Sequence, residues 1–499
     1  MSRELEQIRT FEKESIKAYD PAKRPSFHLT GVTGWINDPN GFSWYGDEAH
    51  LFYQANPFGK EPGQICWGHA VTKDFVHWTY LPCAMAPSES YDAEGCFSGS
   101  ALTLPDGRHL LMYTGNRKTD AGEYRQIQCL AVGDGTDYRK YEKNPVLSSE
   151  DVPDGGSVID FRDPKILEED GRYKALVANR AADGTGAILV YESEDAFSWR
   201  YGGTLLAGGG RLGKMWECPD LFSLDGTDIL LFSVQMIRGD DPAFSPGHGA
   251  VWTYGRYEKD KNRFLPESCG QIDHGIDFYA PQTLLLPDGR RIMTAWMQNW
   301  ETCGCCREDL DFNGQMIFPR EITFRDGKLL QEPVRELETL YGARTAYEEV
   351  RLEKESRLPG IGGRTIDLKM TLRPAEGSDR IGRTFITLAA KDNIQTMLEI
   401  DPELSRVCVD RTRSGSPYDI VNRRTIPVRF PKGEIKLRVL LDRFSMELFV
   451  NEGEQAASFL LGSPEDADEI RFASDGNTLL CAEQHTIRGT VPEHRFGAE

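Results

Sequence analysis

No stretch of this 499-residue chain approaches the roughly 18 consecutive apolar residues that a spanning helix requires. Its start, MSRELEQIRTFEKESIKAYD, alternates charges with no apolar segment of the kind a secretory signal carries. A cytosolic protein is therefore expected. Positive charge is short as well, with 58 Lys and Arg against 78 Asp and Glu and a formal charge of -20. That surface repels phosphate backbones and anionic headgroups, so neither nucleic acid nor membrane is an expected partner. Histidine is scarce at nine, without HExxH or paired-ligand spacing, which argues against a transition-metal centre. The eleven cysteines are an odd count spread along a long chain, and suit reduced, buried thiols better than a disulfide framework.

What is plentiful is punctuation. The 49 glycines and 27 prolines exceed what a helical bundle tolerates, and 10% aromatics favour strands joined by frequent turns, so the fold class is all-β. A turn followed by an apolar run recurs five times, as GDEAHLFYQ, PDGRHLLMY, EDGRYKALV, LDGTDILLF and PDGRRIMTAW. The turn glycines Gly46, Gly107, Gly171, Gly226 and Gly289 are 61, 64, 55 and 63 residues apart, enough for a four-stranded antiparallel unit each time. Near-regular spacing over so long a stretch favours five blades of a β-propeller over chance recurrence of Asp-Gly hairpins.

Polar residues cluster at the start of the strand that feeds each hairpin. Asp38 lies eight residues before Gly46, Asp163 eight before Gly171 and Glu217 nine before Gly226, so three carboxylates from three blades occupy nearly equivalent positions. Taken singly each has an ordinary reading: an Asx turn in NDPNG, a partner for Arg162, a solvated strand end. Their shared register favours convergence at one mouth of the central channel, where acid and base work on an acetal is the chemistry that carboxylates without a metal support. Trp35, Trp67, Phe97, Tyr279 and Trp296 fall in or near the same segments, and ring faces beside hydrogen-bonding groups suit a sugar.

Beyond residue 330 the texture changes. QEPVRELETLYGA reads as a short helix with Val334, Leu337 and Leu340 on one side, a linker over 331–344. Alternating runs such as RTIDLKMTLR, EIKLRVLLD and SMELFVN then predict a separate β-sandwich over 345–499. Residues 1–24 are expected to form a helical arm and 25–330 the propeller.

With these residues in view, GWINDPNG (34–41), FSGS (97–100), FRDPK (161–165) and WECPD (216–220) resemble the signatures of glycoside hydrolase family 32, which includes invertases, fructan hydrolases and sucrose-6-phosphate hydrolases. The likeness continues through HLFYQ, WGHAVTKDFVHW, DFYAPQT, AWMQNW and DRFSMELFVNEG, covering nearly everything after the N-terminal arm. It implies a five-bladed propeller followed by a β-sandwich, in agreement with the repeat count. It implies that Asp38 is the nucleophile, Glu217 the general acid and then base, and Asp163 the transition-state stabiliser. It also implies that Asn37, Gln54, Trp67, Phe97, Ser98, Arg162, Tyr279 and Trp296 surround the sugar. A retaining pair stands roughly 5 to 5.5 Å apart, so a covalent fructosyl ester and a metal-free, cofactor-free reaction are expected. The expected activity is hydrolysis of the terminal β-fructosyl bond of sucrose, with short fructo-oligosaccharides or sucrose 6-phosphate as further substrates. Fructosyl transfer through the same intermediate stays open, and a sugar-binding propeller without catalysis is disfavoured because all three acids are present. The cluster Cys303, Cys305 and Cys306 has no second cysteine pair at zinc spacing, so a rim loop that shapes the aglycone side is the expectation. The sandwich faces suit contacts between copies of the chain, leaving a homo-oligomer open.

Overall fold

The computed structural model describes residues 1–239, 243–304, 308–416 and 421–497. Cys305 and Cys306 lie outside the described residues, while Cys303 is half-buried and points its thiol at the Trp300 carbonyl. Each of the five recurring turns closes a hairpin between the first and second strands of four antiparallel strands, which stand alone as a sheet in four cases and belong to a six-stranded sheet in the first. The turn glycines all have left-handed φ, between 63° and 89°, which an L side chain adopts only with strain. The first strands are Gly34–Tyr45, Gly95–Thr103, Phe161–Glu169, Met215–Leu224 and Tyr279–Leu285, and they neighbour one another around the channel. We number the blades 1 to 5 in that order.

Blade 1 is built from distant parts of the chain. Phe312–Asn313 adds in parallel beside Gly34 and Trp35, and Glu493–His494 adds in parallel to the outer strand Trp78–Met85. The helix Arg3–Ser15, capped by Ser2, lies against that same strand. There Glu12 accepts from the Cys83 amide at 2.9 Å and Arg9 donates to the Cys83 carbonyl at 2.9 Å. An outer strand so covered offers no free edge for pairing with another chain.

The sandwich packs a six-stranded sheet, running spatially from Tyr341–Leu352 to Gln455–Leu460, on a five-stranded sheet from Arg423–Pro427 to Glu469–Ser474. Inward residues such as Leu368, Leu398, Val409, Leu448 and Phe472 are fully buried between them, as the alternating pattern requires. Two expectations need correction. Only Arg335–Leu340 is helical, as 3-10 helix, because Lys328–Pro333 and Tyr341–Leu352 on either side pair into sheets. The end of the chain also leaves the sandwich to join blade 1.

Where propeller meets sandwich, charge is buried in pairs. Arg320 donates to Asp273 at 2.9 Å and to Glu447 at 2.5 Å, and all three side chains are shielded from solvent. His28 bridges Asp442 at 2.8 Å and Glu447 at 3.0 Å. Among the described residues no helix is long and apolar enough to cross a membrane.

Candidate active site

In every blade the ladder between the first and second strands slips near the channel mouth, and in blade 1 it slips again between Asn40 and Ser43. The slips fall between Ile36 and Pro39, Phe97 and Gly99, Arg162 and Lys165, Glu217 and Asp220, and Tyr279 and Gln282. Four of them contain or abut a proline, in Asp38-Pro39, Asp163-Pro164, Cys218-Pro219 and Ala280-Pro281. Proline has no N–H to give a ladder, so a strand accepts it at a sheet edge or where the ladder is interrupted, and these prolines have both. Blade 2 has Ser98-Gly99 instead, and a Cβ on residue 99 would stand 1.9 Å from the Met112 carbonyl. The residue before proline takes left-handed φ at Asp163 (60°), Cys218 (49°) and Ala280 (51°). Such backbone costs on the order of 1–3 kcal/mol per residue and clusters where a side chain must be aimed.

The slips resolve the near-equivalence of the three acids. Asp38, Asp163, Cys218 and Ala280 share the place before proline. Glu217 sits one residue earlier, in the place of Asn37, Arg162 and Tyr279, and therefore enters from a different side. Cys218 lies between the other two acids, with Sγ 3.7 Å from Asp38 Oδ2 and 3.6 Å from Asp163 Oδ2, while its amide donates to Asp163 Oδ2 at 3.2 Å. The pre-proline position in WECPD was the signal for Cys218, and reading only carboxylates missed it.

Asp38 is held by neutral donors. Ser98 Oγ donates to Oδ2 at 2.7 Å and Asn37 Nδ2 to Oδ1 at 3.2 Å, and Asn37 is itself fixed by Trp35 Nε1 at 2.7 Å. Glu217 is held differently: Arg162 Nε reaches Oε1 at 2.9 Å and the Tyr279 hydroxyl donates to Oε2 at 2.5 Å. Arg162 also contacts Gln126 Oε1 at 3.1 Å and Asp160 at 3.3 Å.

Burial of so much acid shifts its protonation. Desolvation, with the Glu217 charge adding to it, raises Asp38 to about 6 against the pull of the Ser98 and Asn37 hydrogen bonds. Desolvation and the charges of Glu217 and Asp38 raise Asp163 to about 8, with the Arg162 guanidinium opposing. Burial also lifts the Tyr279 hydroxyl well above its usual range, so it remains a donor. Burial works against the Arg162 charge, yet Glu217, Asp163 and Asp160 around it outweigh that and keep it protonated.

These groups line a cavity of about 510 Å³ that holds Asn37, Asp38, Gln54, Phe97, Ser98, Arg162, Asp163 and Glu217. Trp67, Tyr279 and Trp296, expected around the sugar, stand behind that lining. Trp67 is buried behind Phe97, donating to its carbonyl at 3.1 Å, and Trp296 is buried edge-on to Trp35 at 5.6 Å. Tyr279 reaches the site through its hydrogen bond to Glu217 and packs in one cluster with Cys218. The mouth carries residues that sequence reading passed over, among them Tyr124, Ile159, Asp160, Arg180 and Trp300. They sit in connecting loops and at the ends of second and third strands, where no repeat marks them. Among the described residues no group of three or more His, Cys, Asp or Glu side chains is placed to hold a metal ion.

Residues 28–333 match the model of the glycosyl hydrolases family 32 N-terminal domain and residues 336–488 that of the family 32 C-terminal domain. The sucrose-6-phosphate hydrolase of Zymomonas mobilis is 33% identical over 94% of this chain and 95% of its own length. A raffinose invertase of Escherichia coli is 32% identical over 91% of this chain and 93% of its own. Among solved structures, a mutant Bombyx mori beta-fructofuranosidase in complex with sucrose superposes with a TM-score of 0.82 at 29% identity, covering 98% of this chain and 99% of that one.

Proposed function

The chain belongs to glycoside hydrolase family 32, and from that premise we propose that Asp38 attacks C2 of a β-fructosyl unit, with Glu217 as general acid then base and Asp163 as transition-state stabiliser. The protein is a β-fructofuranosidase that hydrolyses sucrose or sucrose 6-phosphate. The observation that carries the role assignment is the meeting of three acids from three blades, two of them on one thiol, each held by a different kind of partner.

The chemistry follows from those partners. Asp38, oriented by Ser98 and Asn37 with no cation on it, presents a carboxylate oxygen to C2. As the C2–O bond breaks, Glu217 transfers its proton to the leaving glycosidic oxygen and the aglycone departs as an alcohol. A fructosyl ester on Asp38 remains. Water then attacks C2 from the opposite side, Glu217 takes the proton, and Asp38 leaves as the carboxylate. Asp163, backed by the Cys218 amide, faces the sugar as positive charge builds at C2. Arg162 and Tyr279 keep the Glu217 carboxyl aimed through both steps.

Two inversions at C2 release β-fructose first. NMR of the nascent product, recorded faster than mutarotation, tests this: α-fructose appearing first would mean direct attack by water and would remove Asp38 from the nucleophile's role. Asp38→Asn is expected to fold and to lose turnover, and near-normal activity in a preparation free of wild type would overturn the assignment.

A further inference from the structure

We infer that the aglycone side of this site selects an uncharged sugar, so that sucrose is the substrate and sucrose 6-phosphate is discriminated against, with Asp160 as a specificity-determining residue. The inference deepens the fructosidase reading and rests on it. Two observations carry it, and the first is the charge at the mouth. The described lining holds four carboxylates, Asp38, Asp160, Asp163 and Glu217, against two guanidiniums, Arg162 and Arg180. Both guanidiniums are committed. Arg162 is shared between Glu217 and Asp160, and Arg180 meets Asp160 at 2.8 Å. Asp160 thus neutralises cations that could otherwise grip a phosphate, and Ser157 Oγ, donating to it at 2.9 Å, locks it in place. With Glu217 protonated for bond breaking and Asp163 raised to about 8, Asp38 and Asp160 still balance both guanidiniums, and the overall charge of -20 lies behind them. A phosphate dianion on the glucosyl O6 would enter that field without an unpaired cation among the described lining residues.

The second observation is what the mouth offers instead. Trp300 is 36% exposed, Tyr124 46% and Ile159 46%, and all three border the cavity together with Phe97. Trp300 is held from behind by Trp35, stacked at 6.4 Å, and by Trp296 at 5.2 Å. A fixed ring face beside apolar neighbours stacks on the C–H face of a neutral pyranose and gives a phosphate nothing.

The test compares kcat/KM for sucrose and sucrose 6-phosphate at low and high ionic strength, in wild type, Asp160→Asn and Ile159→Lys. Wild type is expected to prefer sucrose by about tenfold or more, and its activity on sucrose 6-phosphate should rise with salt as repulsion is screened, with sucrose unaffected. Asp160→Asn releases Arg180 and Ile159→Lys adds a cation, so each should shift the ratio toward sucrose 6-phosphate by about fivefold. A preference for sucrose 6-phosphate, a salt dependence of the opposite sign, or variants that leave the ratio where it was would overturn the inference. Turnover of neither substrate would instead sink the fructosidase reading, and the inference with it.

Discussion

Ser98→Ala tests Asp38 through its proton. The substitution removes the 2.7 Å hydrogen bond that Ser98 donates to Asp38 Oδ2, the largest influence opposing desolvation there. A hydrogen bond to a charged group contributes about 1.5–3 kcal/mol, and 1.36 kcal/mol corresponds to one pKa unit. Asp38, held near 6 in the intact protein, should therefore titrate about one to two pH units higher in the variant. Since the attacking species is the carboxylate, the acid limb of kcat/KM for sucrose moves upward by the same amount. Well below the limb the variant loses about 10- to 100-fold, and the loss narrows as the pH rises past the new limb. Ser98→Thr keeps a hydroxyl and should return the limb toward its original position. A limb that stays put while activity drops equally at every pH would refute the reasoning, because Ser98 would then act only as a contact to substrate.

The raised acids also bear on stability. Asp163 titrates near 8 when folded and near 3.8 when unfolded, so the native state binds the extra proton and stability falls as pH climbs from about 4 to about 8. Asp163→Asn should accordingly be inactive yet melt higher than wild type at pH 8, with the margin shrinking toward pH 4; an equal margin throughout in thermal scans would contradict this. Arg320→Met leaves Asp273 buried without a cation and Glu447 with His28 alone, and should cost about 3–5 kcal/mol in denaturant unfolding; a loss below about 1 kcal/mol would be a clear miss. Burial would depress His28, but hydrogen bonds and charge from Asp442 and Glu447 prevail and hold it up to about 9. Its stabilisation is full below about 6.5 and disappears as pH rises through 9, so His28→Gln should flatten the decline in melting temperature over that window.

Much of the propeller was legible because its turns need glycine: a left-handed φ at Gly46, Gly107, Gly171, Gly226 and Gly289 leaves a mark at each blade. The acids were legible for a related reason, since each lies eight or nine residues before such a turn. The one-residue offset of Glu217 was visible but its meaning was not, because alternation of faces fails at a strand slip and only pairing partners show where the slip falls. The same blindness hid the true positions of Trp67 and Trp296, whose strands carry apolar residues toward both the channel and the blade interior. Residues 331–344 looked helical from local spacing, yet a hairpin claimed one end and long-range pairing the other, which left only Arg335–Leu340. The mouth residues Asp160, Arg180 and Trp300 had no periodic signal at all, since their proximity comes from ring closure.

That closure sets a clock on synthesis. Blade 1 carries Asp38, yet its sheet is completed by Phe312–Asn313 and Glu493–His494, and Arg495 pairs with Glu48 across 447 residues of sequence. Translation proceeds at roughly 5–20 residues per second, so the first strands to emerge wait on the order of a minute for their last partners. During that wait blades 2 to 5 assemble from contacts within single hairpins, while blade 1 depends on contacts of the longest loop closure in the molecule. The three acids converge only when the ring is shut. Completion of the blade that carries Asp38 is thereby tied to Glu493–His494, and a chain broken off before them leaves its outer strand unpaired.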